Sequence, residues 1–177
     1  MSDFPAARAI IQTEQVQTRA PVSESLMQPI SGAVNKVQLE LTPPIMFKVN
    51  GAYKSGTVRT RLDGFYRFKY NATIIGVTIF NGDAGLSGTT EADILRFTSP
   101  GGIGTSIFST TPKVDSTAAS NVWAGIGDVV TGVTAPVLTS SPNGLSVNAG
   151  DVLMMKLISA MGGNPKDVEI QIDWVVR

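Results

Sequence analysis

Three carboxylates lie close together in the stretch GDAGLSGTTEADILRF, residues 82–97. Asp83 comes first, glycines follow, and Glu91 and Asp93 stand two apart. In an extended strand, a spacing of two puts both side chains on one face. Two carboxylates at a fixed separation are what glycoside hydrolysis uses, and several oxygen donors around glycines are what calcium takes. A calcium loop usually sets more acids at alternating positions than this. The same residues also describe a plain turn. Gly82, Gly85 and Gly88 allow backbone angles that other residues resist, Asp83 can accept hydrogen bonds within its own turn, and Thr89 and Thr90 open a strand. The turn is the expected reading, and no catalytic or metal-binding residue is assigned.

Other chemistries fail earlier. The chain has no Cys and no His, which removes thiol nucleophiles, thiolate zinc sites, disulfides and Ser-His-Asp triads. No Gly-x-x-x-x-Gly-Lys-[Ser/Thr] loop is present, so the lysine that reaches a nucleotide's phosphates is missing. Gly102 and Gly104 begin no dinucleotide fingerprint, and Thr89 stands where a Gly-x-Ser-x-Gly elbow starting at Gly85 needs its second glycine. No cofactor and no enzymatic activity are expected. Trp123 with Tyr53, Tyr66 and Tyr70 could stack on a sugar. Aromatic residues are only 7% of the chain, so core or subunit interface is the expectation for them.

The elements that would position these residues follow from composition and patterning. At 177 residues and 42% hydrophobic, the chain can build one packed domain. Charged residues are 16%, below the usual ~25%, so the polar surface must come largely from Thr, Ser, Asn and Gly. Net charge is zero, which gives no footprint for nucleic-acid backbone. Lys54, Arg59, Arg61, Arg67 and Lys69 crowd one region at strand spacing and read as a solvated sheet face. The N-terminus has no apolar signal region, and no run reaches the ~18 apolar residues of a membrane helix. Neither nucleic acid nor membrane is an expected partner.

The chain divides near Pro43-Pro44. Residues 1–42 read as an arm and neck, partly helical or irregular, and residues 43–177 as a β-sandwich head. Residues 1–20 are polar with a few apolar plugs, Phe4, Ile10 and Ile11, the pattern of an anchor that orders on docking. Beyond Ser23, a possible N-cap, Leu26, Ile30, Ala33 and Val37 keep the spacing of one heptad seam. Pro29 breaks its helix. A seam this short is unstable alone, so it either packs against copies of itself as a trimer neck or caps the β domain.

From Ile45 onward, short β-rich runs alternate with turn signals such as Asn50-Gly51 and Asp63-Gly64. The run FYRFKYNATIIGVTIF carries Phe65, Tyr66, Phe68, Tyr70, Ile75, Val77 and Ile79. Ala92, Ile94 and Phe97 follow in the next. In VEIQIDWVVR, the residues Val168, Ile170, Ile172, Trp174 and Val176 alternate with Glu169, Gln171 and Asp173. Eight to ten such strands predict an all-β, jelly-roll-like β-sandwich.

The segments DGFYRFKYNATIIGVTIFNGDAGLSGTTEADILRF, GTSIFSTTPKV and NAGDVLMMKLISAMGGNPKDVEIQIDW resemble surface modules of tailed-phage virions and related trimeric fibre tips. The upstream APVSESLMQPISGAVNKV resembles the neck that precedes such heads. The resemblance implies a trimeric jelly-roll head displayed on the particle surface. The expected function is therefore structural: a capsid-surface head fibre, spike or decoration subunit, homotrimeric, attached to other virion proteins such as the major capsid protein. A chain of this length has no room for a long fibre shaft. A receptor-binding tip that contacts host surface glycans is the alternative, with the Gly/Ser/Thr-rich stretch 99–141 as its binding region. A carboxylate-dependent glycan hydrolase is the third reading.

Overall fold

The computed structural model describes residues 42–52, 62–140, 144–163 and 165–177. The anchor residues Phe4, Ile10 and Ile11, the neck residues Leu26, Ile30, Ala33 and Val37, and Tyr53, Lys54, Arg59 and Arg61 lie outside the described residues. Among the described residues there is no helix; the chain forms strands β1 (Ile45–Ala52), β2 (Leu62–Arg67), β3 (Ala72–Asp83), β4 (Thr89–Phe97), β5 (Thr105–Ser106), β6 (Phe108–Thr110), β7 (Lys113–Asp115), β8 (Val122–Gly125), β9 (Val133–Thr134), β10 (Val137–Leu138), β11 (Leu145–Val147), β12 (Val152–Ser159) and β13 (Lys166–Val176).

Two sheets carry the architecture. One runs β1-β13-β3-β11, and β8 shares the outer side of β3 with β11. The other runs β2-β12-β4-β7-β9, with β5 also on β4. A small β6-β10 pair stands apart, and every pairing is antiparallel. In the chain order of the principal strands β1, β2, β3, β4, β7, β11, β12 and β13, only the step from β4 to β7 stays within one sheet. Every other step crosses between the sheets. This is the jelly-roll-like β-sandwich that the strand spacing predicts.

The core lies where the inward faces meet. Ile45 and Phe47 of β1, Ile74, Val77 and Ile79 of β3, and Val168, Ile170 and Ile172 of β13 come from one sheet. Ala92 and Ile94 of β4 and Leu153, Met155 and Leu157 of β12 come from the other. Full burial of one such large aliphatic side chain stabilises by about 1.5–3 kcal/mol.

Two turn signals need correction: Asn50-Gly51 falls within β1 and Asp63-Gly64 within β2. The β-rich run 65–80 is divided between β2 and β3. Phe68 leaves the ladder of β2 to exchange backbone hydrogen bonds with the 150–151 turn: its amide donates to Asp151 O (3.0 Å), and its carbonyl accepts from the Gly150 amide (2.8 Å). Ile75 faces outward. Asp173 pairs with Gly76 but Trp174 pairs with Ile74, so Ile75 is the extra residue of a bulge and stands 45% exposed. Beyond the bulge, β13 no longer faces fully inward and Val176 is only partly buried. Trp174 packs against Tyr66 and Phe68, at ring-centroid distances of 6.0 and 5.5 Å, and its Nε1 donates to Pro43 O at 3.1 Å.

Candidate functional site

The stretch 82–97 is a turn stitched to a second turn. Leu86 N donates to Gly162 O (2.7 Å) and Gly162 N donates to Ser87 O (2.8 Å). A Cβ on Gly85 would come within 2.2 Å of Gly162 O and 2.6 Å of the Met161 Cβ. Glycine is needed there for close approach. At Gly88 nothing crowds the site, and the requirement is instead its φ of +81°.

Glu91 and Asp93 do share the outer face of β4, as their spacing predicts, but each is held by side chains of this same sheet. Glu91 accepts from the Thr111 hydroxyl and pairs with Lys113 at 3.2 Å. Asp93, only 7% exposed, accepts from Ser106 Oγ at 2.6 Å and sits opposite Lys156 on β12. Burial pushes the Asp93 carboxyl above its ordinary value, while the Ser106 hydrogen bond pulls the other way. Asp83 ends β3 in the other sheet and pairs with Lys166 at 3.3 Å. Among the described residues no three acidic side chains gather into a cation site.

A fourth carboxylate, Asp151, escaped the sequence reading. Arg96 reaches across from β4 and places both Nε (2.8 Å) and Nη2 (2.6 Å) on Asp151 Oδ2. The same oxygen accepts from Asn148 N at 2.8 Å. This is a structural clasp that closes the turn between β11 and β12.

Among the described residues, two grooves stand out. The first is a groove of about 550 Å³ between the edge strands β1 and β2, bordered by Pro43, Met46 and Phe65. Phe65 is 71% exposed. Tyr70 is exposed as well, and Arg67 and Lys69 lie in solvent, as expected of a solvated face.

The second surrounds Trp123, for which the sequence predicts core or subunit interface. Within this chain it is not core. The pattern of β8 turns Val122 and Ala124 inward and Trp123 outward, 64% exposed. The strand is pinned at its start by Asn121, whose amide donates to Gly82 O at 2.6 Å. Asn121 has a φ of 55°, a conformation that Asn tolerates better than most residues. At the other end, Asp128 accepts from Gly125 N at 2.8 Å. A shallow groove of about 330 Å³ results, lined by Ala119, Ser120, Asn121, Trp123, Asp128 and Val130. It falls inside the 99–141 stretch singled out as the binding region of a receptor-contacting tip.

No protein-family model matches the chain, and no curated protein matches it. Two solved structures are similar in outline. One is the capsid of Ralstonia phage GP4, at 8% identity and a TM-score of 0.47, covering 76% of this chain and 83% of that one. The other is a family 35 carbohydrate binding module from Clostridium thermocellum, at 14% identity and a TM-score of 0.32, covering 72% of this chain and 90% of that one. Both TM-scores lie below 0.5, so the functional reading stands on this chain's own residues.

Proposed function

We infer that this chain is a structural subunit of a phage virion surface: a head fibre, spike or decoration protein. The single observation behind this reading is how the head spends its polar and apolar groups. Glu91, Asp93, Asp83 and Asp151 are each engaged by neighbours within the head, whereas Met46 and Phe65 stand exposed beside the groove at the sheet edges. Engaged carboxylates are poor acids and bases, and exposed large apolar groups beside open strand edges favour association. The sequence resemblance to trimeric virion heads points the same way. In this reading the head and neck form a homotrimer, and residues 1–20 attach it to other virion proteins such as the major capsid protein. The test is to mix purified chain with particles lacking it and measure occupancy. Saturable decoration in multiples of three, lost on deletion of residues 1–20, is the expected result. Full occupancy by the shortened chain would move the anchor to the head itself.

A further inference from the structure

Trp123 stands on the outer face of the first sheet, among apolar and polar neighbours. Across the outer face of the first sheet, one row reads Lys48, Glu169, Phe80, Trp123 and the next reads Met46, Gln171, Thr78, Gly125. Lys48 and Glu169 are bridged at 3.4 Å, and Gln171 Nε2 donates to Asp173 Oδ1 at 3.0 Å. Trp123 thus stands next to Phe80, with the paired charges and amides farther along the sheet. A stable protein partner generally wants about 800 Å² per side with an apolar centre. A hydroxylated ring wants something else: an aromatic plane for its C–H face, and donors and acceptors at the rim for its hydroxyls.

That combination is present in the groove. Trp123 supplies the plane, and the exposed Ser120, Asn121 and Asp128 supply a hydroxyl, an amide and a carboxylate along its lining. Their backbone is fixed by the Asn121–Gly82 and Gly125–Asp128 hydrogen bonds, so the rim is arranged before a ligand arrives, which lowers the cost of binding. The volume of about 330 Å³ is at the small end of ligand sites and suits about one or two pyranose rings. Among the described residues no cation lines the groove, and Asp128 would repel an anionic sugar. We propose that the Trp123 groove is a saccharide-binding site selective for neutral hexoses or hexosamine derivatives without acidic groups. The site lies within one chain, so it stands whether or not the chain assembles on a particle.

The test uses the full chain and a panel of glucose, galactose, mannose, N-acetylglucosamine and their disaccharides at millimolar concentration. Sialic acid and glucuronic acid serve as acidic controls. Binding is read by titration calorimetry and by acrylamide quenching of tryptophan fluorescence in a Trp174→Phe background. Saturable binding of at least one neutral sugar is expected, with Trp123 shielded from acrylamide by that sugar. Trp123→Ala should weaken it at least tenfold while circular dichroism remains unchanged, and Trp123→Phe should retain part of it. Three results would overturn the proposal: no binding of any neutral sugar, equal binding by Trp123→Ala, or stronger binding of the acidic controls. If Trp123 is already shielded in the sugar-free assembly and becomes exposed on dilution to monomer, the groove seats a second copy instead.

Discussion

Asp93 points to the outer face of a sheet, yet its neighbours cover it. Burial raises its pKa above the ordinary 3.8, so the fold favours the protonated carboxyl over the ionised one. The contribution to stability is therefore complete below 3.8 and is lost as pH rises through the folded value. Asp93→Asn mimics the protonated form and keeps an oxygen for Ser106. At pH 7 this variant should melt above the parent, with the gap closing as pH falls toward 3.8; a pH series of thermal melts on both proteins checks it. Arg96 presents the opposite case. Its partner Asp151 has a side chain only 5% exposed, and Arg96→Ala would strand that charge. A loss of about 3 kcal/mol is expected, with Arg96→Lys restoring only part because one ammonium cannot reproduce the two-nitrogen grip. Urea denaturation of the three proteins measures this.

The crossed turns 84–88 and 161–163 behave as one element, because two glycine-bearing segments pass at a distance that excludes any Cβ. Gly85→Ala must push Gly162 and Met161 apart, at a cost of about 1–3 kcal/mol. Gly88→Ala meets no atom and loses only about 1 kcal/mol to its positive φ. Equal losses in chemical denaturation would contradict the distinction. The sequence made the glycines legible as a turn but did not say which of them answers to crowding, since the crowding comes from residues some seventy-five positions away. The same limit explains the strands. In β13 the alternation of Val168, Ile170 and Ile172 was readable because each faces one continuous core. The outward turn of Ile75 was not readable, because the bulge depends on how β3 aligns with β13, which local spacing does not encode. For Trp123 the sequence left core and subunit interface open; the β8 alternation that turns it outward is visible once Val122 and Ala124 are taken as core. The carboxylates at 91 and 93 were correctly placed on one face, but their partners Ser106 and Lys113 come from later strands and Thr111 from the link between β6 and β7, and could be found only by folding.

At the scale of the whole molecule, the core begins at Ile45 and ends at Ile172, so a chain starting at residue 42 should still unfold cooperatively on heating. Loss of a sharp transition would mean that residues 1–41 are part of the folding unit. The proposed trimer should appear in light scattering of the full chain at micromolar concentration, where a monomer would refute it. The last feature concerns timing. β13 is the final strand of the jelly roll, yet it lies between β1 and β3 rather than at an edge. While residues 166–176 are still being translated, β1 has no partner among the described strands of this sheet, and one flank of β3 lacks its described partner. Pairing of the first strand with the last is slow by nature, and unpaired strands invite aggregation. The sandwich therefore cannot close before β13 is made. A chain stopped before Lys166 should partition into the insoluble fraction.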